Sequence, residues 1–392
     1  MLDCEEMDKV IDDKWGSEIR DDKVYVTEDR DISRILLKVD HEIREFCLSD
    51  FSLSLKKSVN QNTGELIYKK VSFGDVRAIA FQNKQIKAFF DYYLPIRDYR
   101  KRGLLKIRAF SPYITAYLQW MDDIDQSVNS FDTLRSIHGQ TVSYQALEQR
   151  IYKCFEKLSE KLSNPQFQKL ILKSQKTSDK NYKSMLSYID KLFDRKARLL
   201  VVRVDLSYKQ AIADVRRREQ LGMDEHVSEF EQVKADLERL LRHRRHNKIF
   251  HGLLGYIWKL EYGVTRGYHY HMVFFFDGAK HCHDVLIGKR IGDYWNKNIT
   301  QGRGAYFNVN GSKCRYQNDI RGSVNYSDTE AKQGLMYLTK YFSKPDYFMR
   351  LELPKKYKSG SKQLYRTLGK GQVQMRTGKK RGRPRKSGHL GN

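Results

Sequence analysis

The order of elements that the sequence predicts for its second half is β-α-β-β-α-β with one further helix. It describes an α+β fold built on a central antiparallel sheet, of ferredoxin-like or RNA-recognition-like kind, with flanking helices. Three observations predict it. Apolar runs rich in β-branched and aromatic residues recur between turn residues. Charged segments of helical period separate them. The chain, at 392 residues, has room for two or three domains and a large core.

Taken in order, residues 1–190 form a mixed, partly helical region. In it "YQALEQRIYKCFEKLSEKLSN" and "YKSMLSYIDKLFDRKA" repeat apolar residues at three and four, the period of an amphipathic helix. Residues 191–350 hold the predicted sheet. "LLVVRVDLSY" is a buried strand interrupted near its end by Asp205. A charged helical stretch over 209–247 follows. "HGLLGYIWKLEYG" and "GYHYHMVFFFDG" are two strands around a short turn. "HDVLIGKRIGDYWNKNI" reads as a helix, "GRGAYFNVN" as a strand, and "SDTEAKQGLMYLTKYFSK" as a helix stopped by Pro345. From Leu351 the apolar residues thin out, so 351–392 reads as a disordered basic tail.

Charge narrows the function classes. There are 73 Lys plus Arg against 48 Asp plus Glu, a formal net charge of +25. Such a field draws in polyanions, nucleic acid first and anionic membrane second. The apolar run "MVFFF" is far short of the ~20 residues of a spanning helix. The start "MLDCEEMDKV" is acidic where a secretory signal is basic and then apolar, so a soluble cytoplasmic protein is expected. Five cysteines, Cys4, Cys47, Cys154, Cys282 and Cys314, form no CxxC pair, which argues against a disulfide framework or a zinc ribbon.

Two histidines carry the chemistry. Alternate strand residues share a face, so His269 and His271 point one way and Tyr270 the other. With a turn over Val264, Thr265 and Arg266, Glu261 falls opposite His269, close enough for joint coordination. Two imidazoles and a carboxylate leave open positions on a divalent ion, as a catalytic site needs. The alternative is a pair of inert, hydrogen-bonded strand histidines. A rival pair in "HCHD", His281 and His283, follows the strand end. It lies in a turn or helix start, where alternate residues do not share a face.

In "YLTKYFSK", Tyr337, Lys340, Tyr341 and Lys344 form one helical stripe, with Ser327 and Glu330 offering a capping box at the helix start. A packed aromatic stripe with snorkelling lysines is the simpler reading. The two cations favour a face that meets a phosphodiester. A tyrosine hydroxyl, with a pKa near ~10, attacks phosphorus only where cations stabilise the charge. Lys340 or Lys344 supplies that charge beside a metal-bound phosphate.

These residues resemble the HUH endonucleases. "HYH" followed by "MVFFF" is similar to their metal motif, and "YLTKYFSK" to the paired-tyrosine motif of rolling-circle initiators. Together with "LLVVRVDLSY", the pattern resembles the inovirus-type replication initiator family over roughly residues 190–370. The resemblance implies a central sheet of HUH type, site-specific nicking and joining of an origin strand, and a 5'-phosphotyrosine link. It further implies a free 3'-hydroxyl for a polymerase and a Mg2+ or Mn2+ cofactor. It places metal ligands on His269 and His271 and nucleophiles on Tyr337 and Tyr341; Glu261 as third ligand and the role of Asp205 stay open. No GxxxxGK[ST] occurs, so a separate helicase is expected to open the duplex.

The tail segment "KKRGRPRK" sets Lys379, Lys380, Arg381, Arg383, Arg385 and Lys386 around Gly382 and Pro384. Its Arg-Gly-Arg-Pro core resembles an AT-hook, whose arginines enter a narrow minor groove. A plain polycation or an import signal are the alternatives. The expected partners are therefore single- and double-stranded DNA, with no membrane. Two other functions compete: a non-catalytic, prophage-derived DNA-binding regulator, and a mononuclear iron oxygenase using His269, His271 and Glu261.

Overall fold

Three runs of eleven residues dominate the chain's β-structure: Arg198–Tyr208, Leu253–Gly263 and Gly267–Asp277. The third is buried along its whole length, which suits the middle of a sheet covered on both faces. The computed structural model describes residues 18–20, 23–25, 28–46, 84–138, 144–209, 222–263, 266–312, 320–343, 349–351, 357–358, 361–362 and 366–373. Its elements in chain order are β1 (Glu18–Arg20), β2 (Lys23–Tyr25), α1 (Glu28–Arg44), α2 (Lys84–Lys101), β3 (Arg108–Phe110), α3 (Pro112–His138), α4 (Tyr144–Ser163), α5 (Pro165–Arg195), β4 (Arg198–Tyr208), α6 (Met223–His243), β5 (Leu253–Gly263), β6 (Gly267–Asp277), α7 (Asp284–Tyr294), β7 (Gly304–Asn308), β8 (Gly322–Asn325), α8 (Thr329–Ser343), β9 (Met349–Leu351), β10 (Tyr357–Lys358), β11 (Ser361–Lys362) and β12 (Leu368–Lys370). This is an α+β protein with an open antiparallel sheet.

The chain forms two compact units. One comprises Ile32–Lys101 and Phe110–Lys176, and its described residues are mainly helical. Its core is a cluster of rings: Phe89 meets Trp120 edge-on at 5.2 Å, and Phe155 packs on Trp120 at 5.0 Å. Inside it Asp40 accepts hydrogen bonds from Ser111 and Arg44, while burial raises the carboxyl's pKa above its ordinary value.

The other unit contains Arg102–Ala109 and everything from Thr177 onward. Its sheet has the order β12-β5-β6-β4-β7, with β8 pairing β4 beside β7, and every pairing is antiparallel. Gly267 closes the β5–β6 hairpin with φ +62°, a backbone that a β-branched residue would not hold. Between the stretches of β4 that pair with β7 and with β8, the buried Asn310 stands in for a strand. Its side chain accepts from Arg203 N at 2.7 Å and donates to Val201 O at 2.9 Å.

The two faces of the sheet differ. Val202, Val204, Leu206, Leu260, Tyr270, Met272, Phe274 and Phe276 point to one side, where Phe230, Val233, Leu237 and Leu240 of α6 and Ile287 and Ile291 of α7 cover them. Helix α7 lies close to β7 because Gly288 and Gly292 face it. A Cβ on Gly292 would stand 2.1 Å from the Tyr306 ring. The other side carries the polar residues of β4, β5 and β6, and α8 lies over it.

Sequence and structure differ in several places here: Gly322–Asn325 adds a strand to the sheet where none was expected, and Tyr357–Lys358 pairs with Ser361–Lys362 inside the stretch read as a disordered tail. Leu368–Lys370, placed in the basic tail by composition, pair with Ile257–Lys259 as an edge strand, since three backbone partners on β5 hold a segment that has little apolar surface of its own. Helix α8 starts at Thr329, and Asp328 caps it by accepting from Ala331 N at 3.0 Å. Ser327, the expected cap, instead donates to Asn325 at 3.2 Å; the carboxylate one residue later is the stronger acceptor for the helix terminus. Among the described residues no helix is long and apolar enough to cross a membrane.

Candidate metal and nucleic-acid site

The register of the sheet assembles the site. Pairing of β6 with β5 sets Glu261 opposite His269 and Lys259 opposite His271. Pairing of β6 with β4 sets Asp205 opposite His271. Opposed residues share a face, and so do residues two apart. Lys259, Glu261, His269, His271, Asp205 and Arg203 therefore stand together on the face toward α8.

A ligand atom from each of Glu261, His269 and His271 lies within 4.8 Å of the others, and all three residues are buried. Two ligands of one ion, each ~2.1 Å from it, are at most ~4.2 Å apart, so a small side-chain adjustment closes the set on a divalent ion. This is the one such cluster among the described residues.

Hydrogen bonds orient both rings. His269 Nδ1 lies 3.0 Å from Gly267 O and His271 Nδ1 2.8 Å from Asp205 Oδ1. Each Nδ1–H donates outward, which leaves each Nε2 lone pair for the interior of the cluster. His271 Nε2 is buried and sits 3.5 Å from Glu261 Oε2. Asp205 is thus placed behind His271 as an orienting carboxylate, the arrangement that fixes the tautomer of metal-binding histidines.

The electrostatics are split between the two histidines. Burial, reinforced by the neighbouring His271, pulls His269 down to about 4. His271 is also buried, but the Asp205 and Glu261 carboxylates overcome that and push it up to about 9. Burial works to raise Asp205, yet His271 and Arg203 hold it below its ordinary value.

Of the tyrosine stripe, Tyr341 reaches the site. Its ring is buried and stands edge-on to His271 at 5.8 Å, with the Arg203 guanidinium 5.8 Å from its centre. Phe342 flanks His271 at 6.5 Å. Tyr337 and Lys340 are half-buried on α8. Lys344 lies outside the described residues, as do Lys379, Lys380, Arg381, Arg383, Arg385 and Lys386.

The rival histidines belong elsewhere. His281 packs over Gly252 and 5.7 Å from Phe276, and His283 precedes α7. Neither joins a three-ligand group among the described residues.

Sequence reasoning did not single out Arg203 or Lys259. Lys259 is 2% exposed on the site face, an unusual position for a lysine. The signal was present: Arg203 with Asp205 and Lys259 with Glu261 both repeat at the strand period of two, polar residues alternating with apolar ones.

A buried two-histidine, one-carboxylate cluster on an antiparallel sheet defines an α+β protein with a candidate metal centre. The chain belongs to the family described as YagK/YfjJ C-terminal domain, which matches residues 162–362 and groups prophage-associated proteins. That match overturns the inovirus-type HUH replication initiator family as the chain's relative. The resemblance rested on three short segments, and a histidine pair at the strand period and a tyrosine pair at the helix period are spacings that strand and helix geometry set without any shared ancestry. No curated protein and no solved structure matches the chain.

Proposed function

We infer that this chain is a metal-dependent DNA-nicking and joining enzyme that works by phosphodiester transesterification, a step of the kind rolling-circle replication uses. The observation that carries the reading is the packing of the Tyr341 ring on His271, inside a donor cluster flanked by Arg203 and Lys259. The order β5-β6-β4-β7, with α6 between β4 and β5 and α7 between β6 and β7, supports a ferredoxin-like arrangement of the sheet.

Glu261, His269 and His271 would hold the ion. The two imidazoles suit a transition ion better than Mg2+, and Mn2+, a transition ion that also takes oxygen ligands such as the Glu261 carboxylate and a phosphate, is the ion proposed. When bound, the ion supplies Lewis-acid polarisation of the scissile phosphate. The protein residues do the rest. Tyr341 Oη gives up its proton to water in the site and bonds to phosphorus. The bond from phosphorus to O3' breaks, and O3' leaves as a hydroxyl after taking a proton. Arg203 offsets charge on the attacking oxygen and the phosphate. Attack of the 3'-hydroxyl on the phosphotyrosine reverses the step and joins the strand. The net charge of +25 supplies attraction for DNA.

The test is incubation with single-stranded DNA and Mn2+, denaturing electrophoresis, and peptide mapping of any adduct. A Mn2+-dependent adduct on Tyr341 is expected. An adduct that persists in the Tyr337→Phe/Tyr341→Phe double variant would sink the tyrosine mechanism. One observation favours a second reading, a non-catalytic DNA-binding regulator: Tyr341 is only 5% exposed. Intact DNA and Mn2+ binding without any adduct is the outcome that selects it.

A further inference from the structure

One large apolar residue of the site-bearing sheet face is open to solvent. Phe307 on β7 is 37% exposed, while the neighbouring Tyr306 turns the other way, against α7, where it donates to Asp293 at 2.8 Å. Phe307 pairs directly with Asp205, which pairs directly with His271. A single row across the sheet therefore reads Lys259, His271, Asp205, Phe307. Neighbouring strands are ~4.8 Å apart, so Phe307 stands about 10 Å from His271 along the row. Beside it the next pair on that face is Ser207 with Ala305, two small residues that leave the sheet surface low.

The charge around this row suits a polyanion. Arg203 and Lys259 are buried on the same face, and Arg266, only partly buried at the end of the hairpin, is close enough to act on both Asp205 and His269. A backbone phosphate attracted to Arg266 would carry its adjoining base outward over the low Ser207–Ala305 surface, toward the exposed ring. An aromatic ring at that place offers a π-face to any unpaired base, whatever its identity. Duplex DNA, whose bases are already stacked on one another, has no free base to place there.

We propose that Phe307 is the stacking platform for a base of single-stranded DNA whose neighbouring phosphate is presented to the Glu261/His269/His271 cluster. The inference rests on the reading that this cluster handles DNA, and it assigns the strand state of that DNA.

The experiment uses the full chain in EDTA, so that cleavage plays no part. Binding of a mixed-sequence single-stranded oligonucleotide is measured by fluorescence anisotropy for the wild type, Phe307→Ala and Phe307→Trp. Alanine is expected to weaken single-strand binding about 5- to 150-fold, with duplex affinity unchanged. Tryptophan is expected to keep the affinity and to add a quenching signal over the wild type on titration with the oligonucleotide. The same titration with an abasic oligonucleotide should give no added quenching. Wild-type affinity in the alanine variant overturns the proposal, and so does a Phe307→Trp signal that does not depend on bases. Absence of a covalent adduct counts against the nicking reading alone and leaves these binding results standing.

Discussion

Asp205 makes the sharpest claim on the geometry. Its Oδ1 accepts from His271 Nδ1 at 2.8 Å, within the range of charge-assisted hydrogen bonds. Asp205→Asn keeps an acceptor of the same shape but removes the charge that makes Nε2 a better donor to an ion and locks the ring's tautomer. Outer-shell carboxylates of this kind contribute about 10- to 100-fold in metal affinity, or about 1.4–2.7 kcal/mol. Isothermal titration of the metal-free protein with Mn2+ should show a loss of that size. Glu261→Ala, which deletes a ligand, should lose more. Cooperative thermal unfolding of each variant in EDTA checks that the fold survives. Mn2+ affinity in Asp205→Asn within about a factor of two of the wild type would refute the orienting role. A loss larger than that of Glu261→Ala would make Asp205 a ligand and refute it from the other side.

Three further outcomes follow from the same structure. The double variant His269→Ala/His271→Ala should lose all DNA cleavage and keep most DNA binding, because the cations that drive binding are untouched; undiminished cleavage at saturating DNA removes the metal-site assignment. Phe274 is fully buried in the middle of β6, so Phe274→Ala should cost about 3–5 kcal/mol in urea unfolding, and a cost below about 1 kcal/mol would contradict its place under α6. Deleting residues 376–392 should weaken duplex binding and flatten its salt dependence, each lost phosphate contact lowering the log–log slope by about 0.9. Equal losses on A/T-rich and G/C-rich duplexes would leave a nonspecific polycation in place of an AT-hook.

How much of the site was legible depends on the range of the interaction involved. That His269 and His271 share a face follows from the strand period alone, and Glu261 lies only eight residues away across a short hairpin whose register the glycines at 263 and 267 close. The cap of α8 was misplaced by one residue, because Ser327 and Asp328 are both competent caps and only the packed helix chooses between them. The edge strand Leu368–Lys370 could not be read from composition at all. What holds it is the free edge of β5, more than a hundred residues earlier in the chain.

By itself the sequence determined the quantities that are sums or local periods: the charge of +25, the alternating strands, the helical stripe with Tyr337 and Tyr341, and the hairpin that joins Glu261 to the histidines. Only the tertiary structure decided which distant residues complete the row. Asp205 reaches His271 because β4 inserts between β6 and β7, and Phe307 reaches the same row because β7 pairs with β4 on the other side. Tyr341 meets His271 because of how α8 is rotated over the sheet. Strand order and helix rotation are set by burial of the whole apolar surface at once, and no local stretch of residues carries that information.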